Sequence, residues 1–81
     1  HILLIPRVKI PRLVDADVSH QALLGHLLLL AGKMAKQLSC DEAFRLIINN
    51  GADAGQTVFH LHLHILANKS FEEGQLATAF G

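Results

Sequence analysis

The chain has 81 residues, 51% of them hydrophobic, and its seven basic and seven acidic side chains cancel to a formal net charge of zero. A chain this short forms at most one small domain, burying only about 60% of its unfolded surface, and its charge balance excludes nucleic-acid binding through a basic field. The single Cys40 excludes an internal disulfide and fits a reducing, cytoplasmic setting, while the longest apolar run, Leu27 to Ala31, falls far below the roughly 18 residues of a membrane span.

The chain opens at His1, without an initiating methionine and already inside an apolar run, and reads as a piece of a longer domain. His1-Ile2-Leu3-Leu4-Ile5, stopped by Pro6, predicts a short buried strand; Pro6 and Pro11 then bracket Arg7-Val8-Lys9-Ile10 as an extended or edge segment. Asp15 and Asp17 are candidate N-caps for a helix from about Val18 to Leu38. At about 100° per residue, Leu23, Leu24, Leu27, Leu28, Leu30, Ala31, Met34, Ala35 and Leu38 fall in one arc roughly 160° wide, opposite Lys33 and Lys36. Leu29 projects among the polar residues, either as an ordinary exposed leucine or as a partner contact. Gly25 and Gly32 border the stripe, where small residues let another backbone approach. His20 and His26, also on this helix, read as surface or boundary residues.

Ser39 to Glu42 turns the chain, and Phe44 to Ile48 predicts a second strand with enough β-branching to be central, Phe44, Leu46 and Ile48 sharing a face. A third strand follows after a hairpin-scale connection, which makes the two antiparallel neighbours. From Thr57 onward polar and apolar residues alternate, so a strand would carry His60, His62 and His64 on one face and Phe59, Leu61, Leu63 and Ile65 on the other.

Three readings compete for the histidines. Alternate strand residues lie roughly 6.6 Å apart, so His60 and His64 would be about 13 Å apart at Cα, too far for all three to ligate one metal. Two neighbours could share a zinc, but Cys40 is alone and Asp53 is the only acid nearby. In a second reading, histidine merely fills polar positions on a half-buried strand. The third is covalent phosphorus chemistry. An imidazole of ordinary pKa, about 6.5, is a competent nucleophile near neutral pH if its other ring nitrogen is held as a donor. The preceding loop offers backbone N–H groups from Gly51 to Gln56 and the Thr57 hydroxyl to a developing phosphoryl charge. It is not a Walker loop, because no Gly-Lys-Ser/Thr follows.

His60-Leu61-His62-Leu63-His64-Ile65-Leu66 resembles the His-φ-His-φ-His-φ-φ motif of the histidine triad superfamily, more narrowly its Hint branch of nucleotide-binding phosphoramidases. A third histidine favours these hydrolases over the related uridylyltransferases, which carry glutamine there. Asn49-Asn50-Gly51-Ala52-Asp53-Ala54-Gly55-Gln56-Thr57 resembles the Hint phosphate loop, and His1 stands where that pattern has a histidine that helps orient the triad. Lys9 departs from the pattern, which has histidine there. So does the tail from Ala67 to Gly81, where the branch ends in Trp-Pro-Pro-Gly and reaches toward the partner subunit's site.

The resemblance implies an α+β fold, a mostly antiparallel sheet with one long helix packed on it and the N-terminal strands missing, with residues 1–66 the HIT-like portion and 67–81 a divergent tail. It implies a homodimer that cleaves purine nucleoside phosphoramidates or related phosphoanhydrides through a nucleotidyl-histidine intermediate. His62 would be the nucleophile, His64 and Thr57 would act on phosphate and leaving group, Asn49, Gly55 and Gln56 would hold the phosphate, and His1 and His60 would orient the site. A purine nucleoside monophosphate or its phosphoramidate is then the expected partner, with no cofactor, metal, nucleic acid or membrane. The rival, from another class, is a nucleotide-binding or protein-interaction module without useful turnover.

Overall fold

The computed structural model describes residues 1–67. Strands β1 (Ile2–Leu4), β2 (Phe44–Ile47) and β3 (Leu63–Ala67) form one antiparallel sheet in the order β1-β3-β2, and helix α1 (Gln21–Gln37) connects its first two strands. β3 pairs on both sides, Leu3 and Ile47 both standing opposite His64, and Leu46 and Ile2 both opposite Ile65. Successive side chains alternate across a sheet, so this register sorts its two faces. Leu4, Leu46 and Leu63 point to the core, which Ile10, Leu27 and Leu61 complete. His64 therefore lies on the face away from the helix.

β3 begins six residues later than the alternation from Thr57 predicts. A ladder needs partners, and on one side the chain turns at Pro6, which has no N–H to donate, while on the other β2 gives way to loop after Ile47. Thr57 to His62 consequently runs as irregular backbone, tied by the Leu61 N–H to the Ile10 carbonyl at 2.7 Å. The connection between β2 and β3 is correspondingly longer than a hairpin loop.

The expected helix is present, but its first turn, Val18–His20, is a 3-10 turn. Asp17 caps it: its carboxylate accepts from the Ser19 N–H, and His20 Nδ1 accepts from the Asp17 N–H at 3.1 Å, closing a capping box. Asp15 caps nothing and instead pairs with Arg12 at 3.1 Å. His20 is half-buried and His26 exposed. Leu27, Ala31 and Ala35 are buried, with Leu23, Leu24, Leu30 and Met34 half-buried. Leu28 and Leu38, assigned to the apolar stripe by periodicity, are 54% and 47% exposed, because the sheet beneath has only three short strands and cannot cover an arc that wide.

α1 ends in a Schellman motif. The Cys40 N–H reaches the Ala35 carbonyl at 2.9 Å and the Ser39 N–H reaches the Lys36 carbonyl at 3.1 Å, with Ser39 at φ 57°. The divergent tail lies outside the described residues except for Ala67, which closes β3.

Candidate active site

The four candidate histidines form a chain of contacts. His60 Nε2–H donates to the Pro6 carbonyl at 2.8 Å, and His62 Nδ1–H donates to the His60 carbonyl at 2.7 Å. A carbonyl only accepts, so both tautomers follow, and in the neutral His62 ring the lone pair lies on Nε2. The rings of His62 and His64 then meet edge to face, with centroids 5.0 Å apart. His64 Nδ1 lies 2.7 Å from His1 Nε2. Imidazoles that strand spacing would keep well apart are thereby drawn together at their rings.

Burial makes His64 distinctive. It is 3% exposed, and its Nε2 is buried without a hydrogen bond among the described residues. Burial, and secondarily the neighbouring His62, hold its pKa below the usual histidine value, so the ring favours its neutral form. A neutral ring with Nδ1 engaged by His1 has one remaining atom for a ligand, and that atom is the orphaned Nε2. Among the described residues, no three histidine, cysteine or carboxylate side chains converge as a metal-binding group.

The loop before the histidines is closed by its own backbone. Gly51 and Gly55 both take positive φ, 92° and 95°, the region where glycine avoids the steric cost of a Cβ. The N–H groups of Ala54 and Gln56 bond the Gly51 carbonyl, that of Gly55 bonds the Ala52 carbonyl, and that of Gly51 bonds Gln56 Oε1 at 2.8 Å. Four of the N–H groups that sequence reasoning offered to a phosphate are thus engaged within the loop. Thr57 is exposed at its end, and its hydroxyl takes part in none of these bonds. Asn49, 7% exposed, lies two residues beyond Ile47, the partner of His64 in the sheet.

Gln56 is placed differently from its sequence-based role. Only 2% exposed, it donates from Nε2 to the carbonyls of Pro11 at 2.7 Å and Val58 at 3.1 Å. Two residues with no assigned role also enter the frame. Asn50 Oδ1 accepts from the Leu13 N–H at 2.8 Å, and the Pro6 carbonyl accepts from the His60 Nε2–H. The Asn50-Gly51 dipeptide marks a turn in the sequence, but a turn signal does not say which distant backbone its side chain will reach.

With this geometry in place, comparison with known proteins is decisive: the HIT domain matches residues 1–71. The chain belongs to the HIT family. An uncharacterised HIT-like protein of Synechocystis is 56% identical over 71 residues, which are 88% of this chain and 62% of that protein. Protein HitA of Neisseria gonorrhoeae is 44% identical over 66 residues, 82% of this HIT chain and 62% of its own length. The chain thus spans about three-fifths of the curated relatives it matches. Among solved structures, a HIT family hydrolase from Legionella pneumophila superposes with a TM-score of 0.86 at 32% identity, covering 89% of this chain and 65% of that one. The C. elegans NitFhit protein superposes with a TM-score of 0.64, also at 32% identity, over 84% of this chain and 16% of its own.

Proposed function

We propose that this HIT chain carries the reactive centre of a nucleotide-binding hydrolase of the Hint type, acting on purine nucleoside phosphoramidates or related phosphoanhydrides through a nucleotidyl-histidine intermediate. The observation that carries the reading is the His62 Nδ1–H bond to the His60 carbonyl, because it leaves the lone pair on Nε2 of a ring held in one orientation. The third histidine, His64, supports a hydrolase over a uridylyltransferase, the resemblance of the glycine loop supports the phosphoramidase branch, and the hydrolase description of the Legionella relative supports the reaction class.

In the first step His62 Nε2 forms a bond to phosphorus as the phosphorus–nitrogen bond of the substrate breaks. The leaving amine takes a proton relayed by the Thr57 hydroxyl from water. In the second step water adds to phosphorus and the bond to His62 breaks, releasing nucleoside monophosphate and restoring the imidazole. The sum is substrate plus water giving nucleotide plus amine. His64 Nε2–H donates to the phosphoryl oxygen through both steps, with Asn49 as a second contact, and exclusion from water strengthens such a donor.

The functional unit proposed is a homodimer. Support comes from the outer face of α1, where Leu29 is 78% and Leu28 54% exposed, and where space beyond Gly25 and Gly32 is open to a close backbone approach.

The test is a pre-steady-state assay with a labelled adenosine phosphoramidate, stopped by alkaline denaturant because phosphorus–nitrogen bonds are labile in acid. The expected result is a burst of amine and label on His62. Binding without burst or label would leave only the binding-module reading.

A further inference from the structure

The segment between β1 and the start of α1 is bound to the loop and the histidines at four places. The Pro6 carbonyl accepts from His60, the Ile10 carbonyl from the Leu61 N–H, and the Pro11 carbonyl from Gln56, while the Leu13 N–H donates to Asn50. Two of these bonds come from carboxamide side chains at opposite ends of the glycine loop. Their orientation is fixed by their partners. Gln56 Nε2 faces two carbonyls and its Oε1 faces the Gly51 N–H; Asn50 Oδ1 faces the Leu13 N–H and its Nδ2 faces the Ile48 carbonyl at 3.2 Å. A carboxamide has only two N–H donors, so Gln56 has none left for a phosphoryl oxygen while these bonds stand.

We propose that Asn50 and Gln56 are positioning residues, which staple the two ends of the glycine loop to the Pro6–Leu13 strap and through that strap set the loop against His60 and His62. The role rests on the reading of the loop as a phosphate cradle. The mechanical link is continuous, because the same strap that receives Gln56 and serves Asn50 also receives His60, whose carbonyl in turn orients His62. Loosening either staple lets the loop, with Thr57 at its end, drift relative to the His62 lone pair. Such displacement lowers the rate of in-line attack more than it lowers affinity.

The closing experiment compares Asn50→Leu, Gln56→Met and the double variant in the full chain, reading turnover of an adenosine phosphoramidate, AMP affinity, and hydrogen exchange at the Leu13 and Gly51 amides. Each single variant is expected to lower kcat about tenfold with a smaller change in AMP affinity, and the double variant to fall short of the product of the two, because both open one strap. Asn50→Asp, which keeps the acceptor for Leu13, should recover most of the loss. Asn50→Leu should also speed exchange at Gly51, and Gln56→Met at Leu13, although neither side chain bonds the amide in question. Should Gln56→Met fail to fold, Gln56→Glu keeps the acceptor for Gly51, loses both donors and gives the same cross-test. Loss of AMP affinity for Gln56→Met that multiplies with that of Asn50→Leu would identify Gln56 as a direct phosphate ligand and overturn the proposal. Exchange confined to each side chain's own amide would overturn it too. A parent that binds no AMP would remove the phosphate reading alone, since the amide cross-effects report the staple independently.

Discussion

His1 Nε2 and His64 Nδ1 are 2.7 Å apart, so the first residue of the chain and the last histidine of the motif share one proton across their rings. Which ring carries it decides the chemistry of His64. If His64 is to donate from Nε2, its Nδ1 must accept, and His1 must donate. His1→Ala is therefore expected to lower turnover of a nucleoside phosphoramidate about tenfold, the loss of one oriented hydrogen bond. His1→Gln, with an N–H in reach, should recover part of it. Nitrogen NMR of His64 checks the cause: the parent should carry its proton on Nε2.

The depressed pKa of His64 makes folding sensitive to mild acid. Burial disfavours its charged form, so its folded pKa lies below the unfolded value of about 6.5, and the unfolded chain binds more protons between the two. Stability is then fully present above about pH 6.5 and is lost as pH falls through the folded value. Denaturant titrations at pH 5 and 7.5 should show this loss in the parent and a smaller one in His64→Gln. Equal losses of stability between the two pH values in both proteins would exclude His64 as the source.

The antiparallel strands and the helix were legible in the sequence because short β-branched runs and a leucine stripe are local signals. What was not legible depended on where partners end. Thr57 to His62 alternates as a strand should, but alternation reports side-chain faces and says nothing of the Pro6 turn that removes its neighbour. Leu28 and Leu38 fit the helical arc by angle, and their exposure follows from the width of the sheet below. At the site, the sequence brought forward the histidines and the glycine loop. It could not show that Gln56 spends its donors on Pro11 and Val58, because carboxamide partners are chosen by tertiary placement.

Ser39 offers a stability test independent of function. It holds the left-handed position of the Schellman motif at φ 57°, where a residue with a Cβ is strained by about 1 kcal/mol or more. Ser39→Gly relieves that strain, partly offset by greater freedom in the unfolded chain. The melting temperature is expected to rise by about 4 °C, a gain of somewhat under 1 kcal/mol in a domain this small. A fall would mean that the serine side chain contributes more than its backbone costs.

Leu29, at 78% exposure, tests the proposed homodimer. If the outer face of α1 meets a second copy, Leu29→Glu buries an unpaired charge there and should shift the protein to monomer, with little effect on the monomer's fold. Sedimentation velocity over a range of concentrations reads the outcome. An unchanged dimer would locate the interface elsewhere, and a monomeric parent would end the dimer proposal.

His62 and His64 differ in what each removal takes away. In the proposed reaction His62→Ala eliminates the atom that would bond phosphorus, so both turnover and covalent label should vanish, while nucleotide should still bind to the donors around it. His64→Ala would remove the proposed donor to the phosphoryl oxygen and should cost roughly a hundred- to a thousandfold in rate, the usual scale for a deleted oxyanion donor, while leaving the label on His62. The substitutions are structurally unequal as well: His62→Ala leaves the His60 carbonyl without its ring donor, and His64→Ala opens space beside His1. Melting curves must therefore accompany the kinetics, so that unfolding is not read as lost chemistry. Single-turnover assays of both variants, with peptide mapping of the labelled histidine, decide the assignment. Near-parental turnover in His62→Ala, or label on His60 or His64 in the parent, would move the nucleophile to another ring.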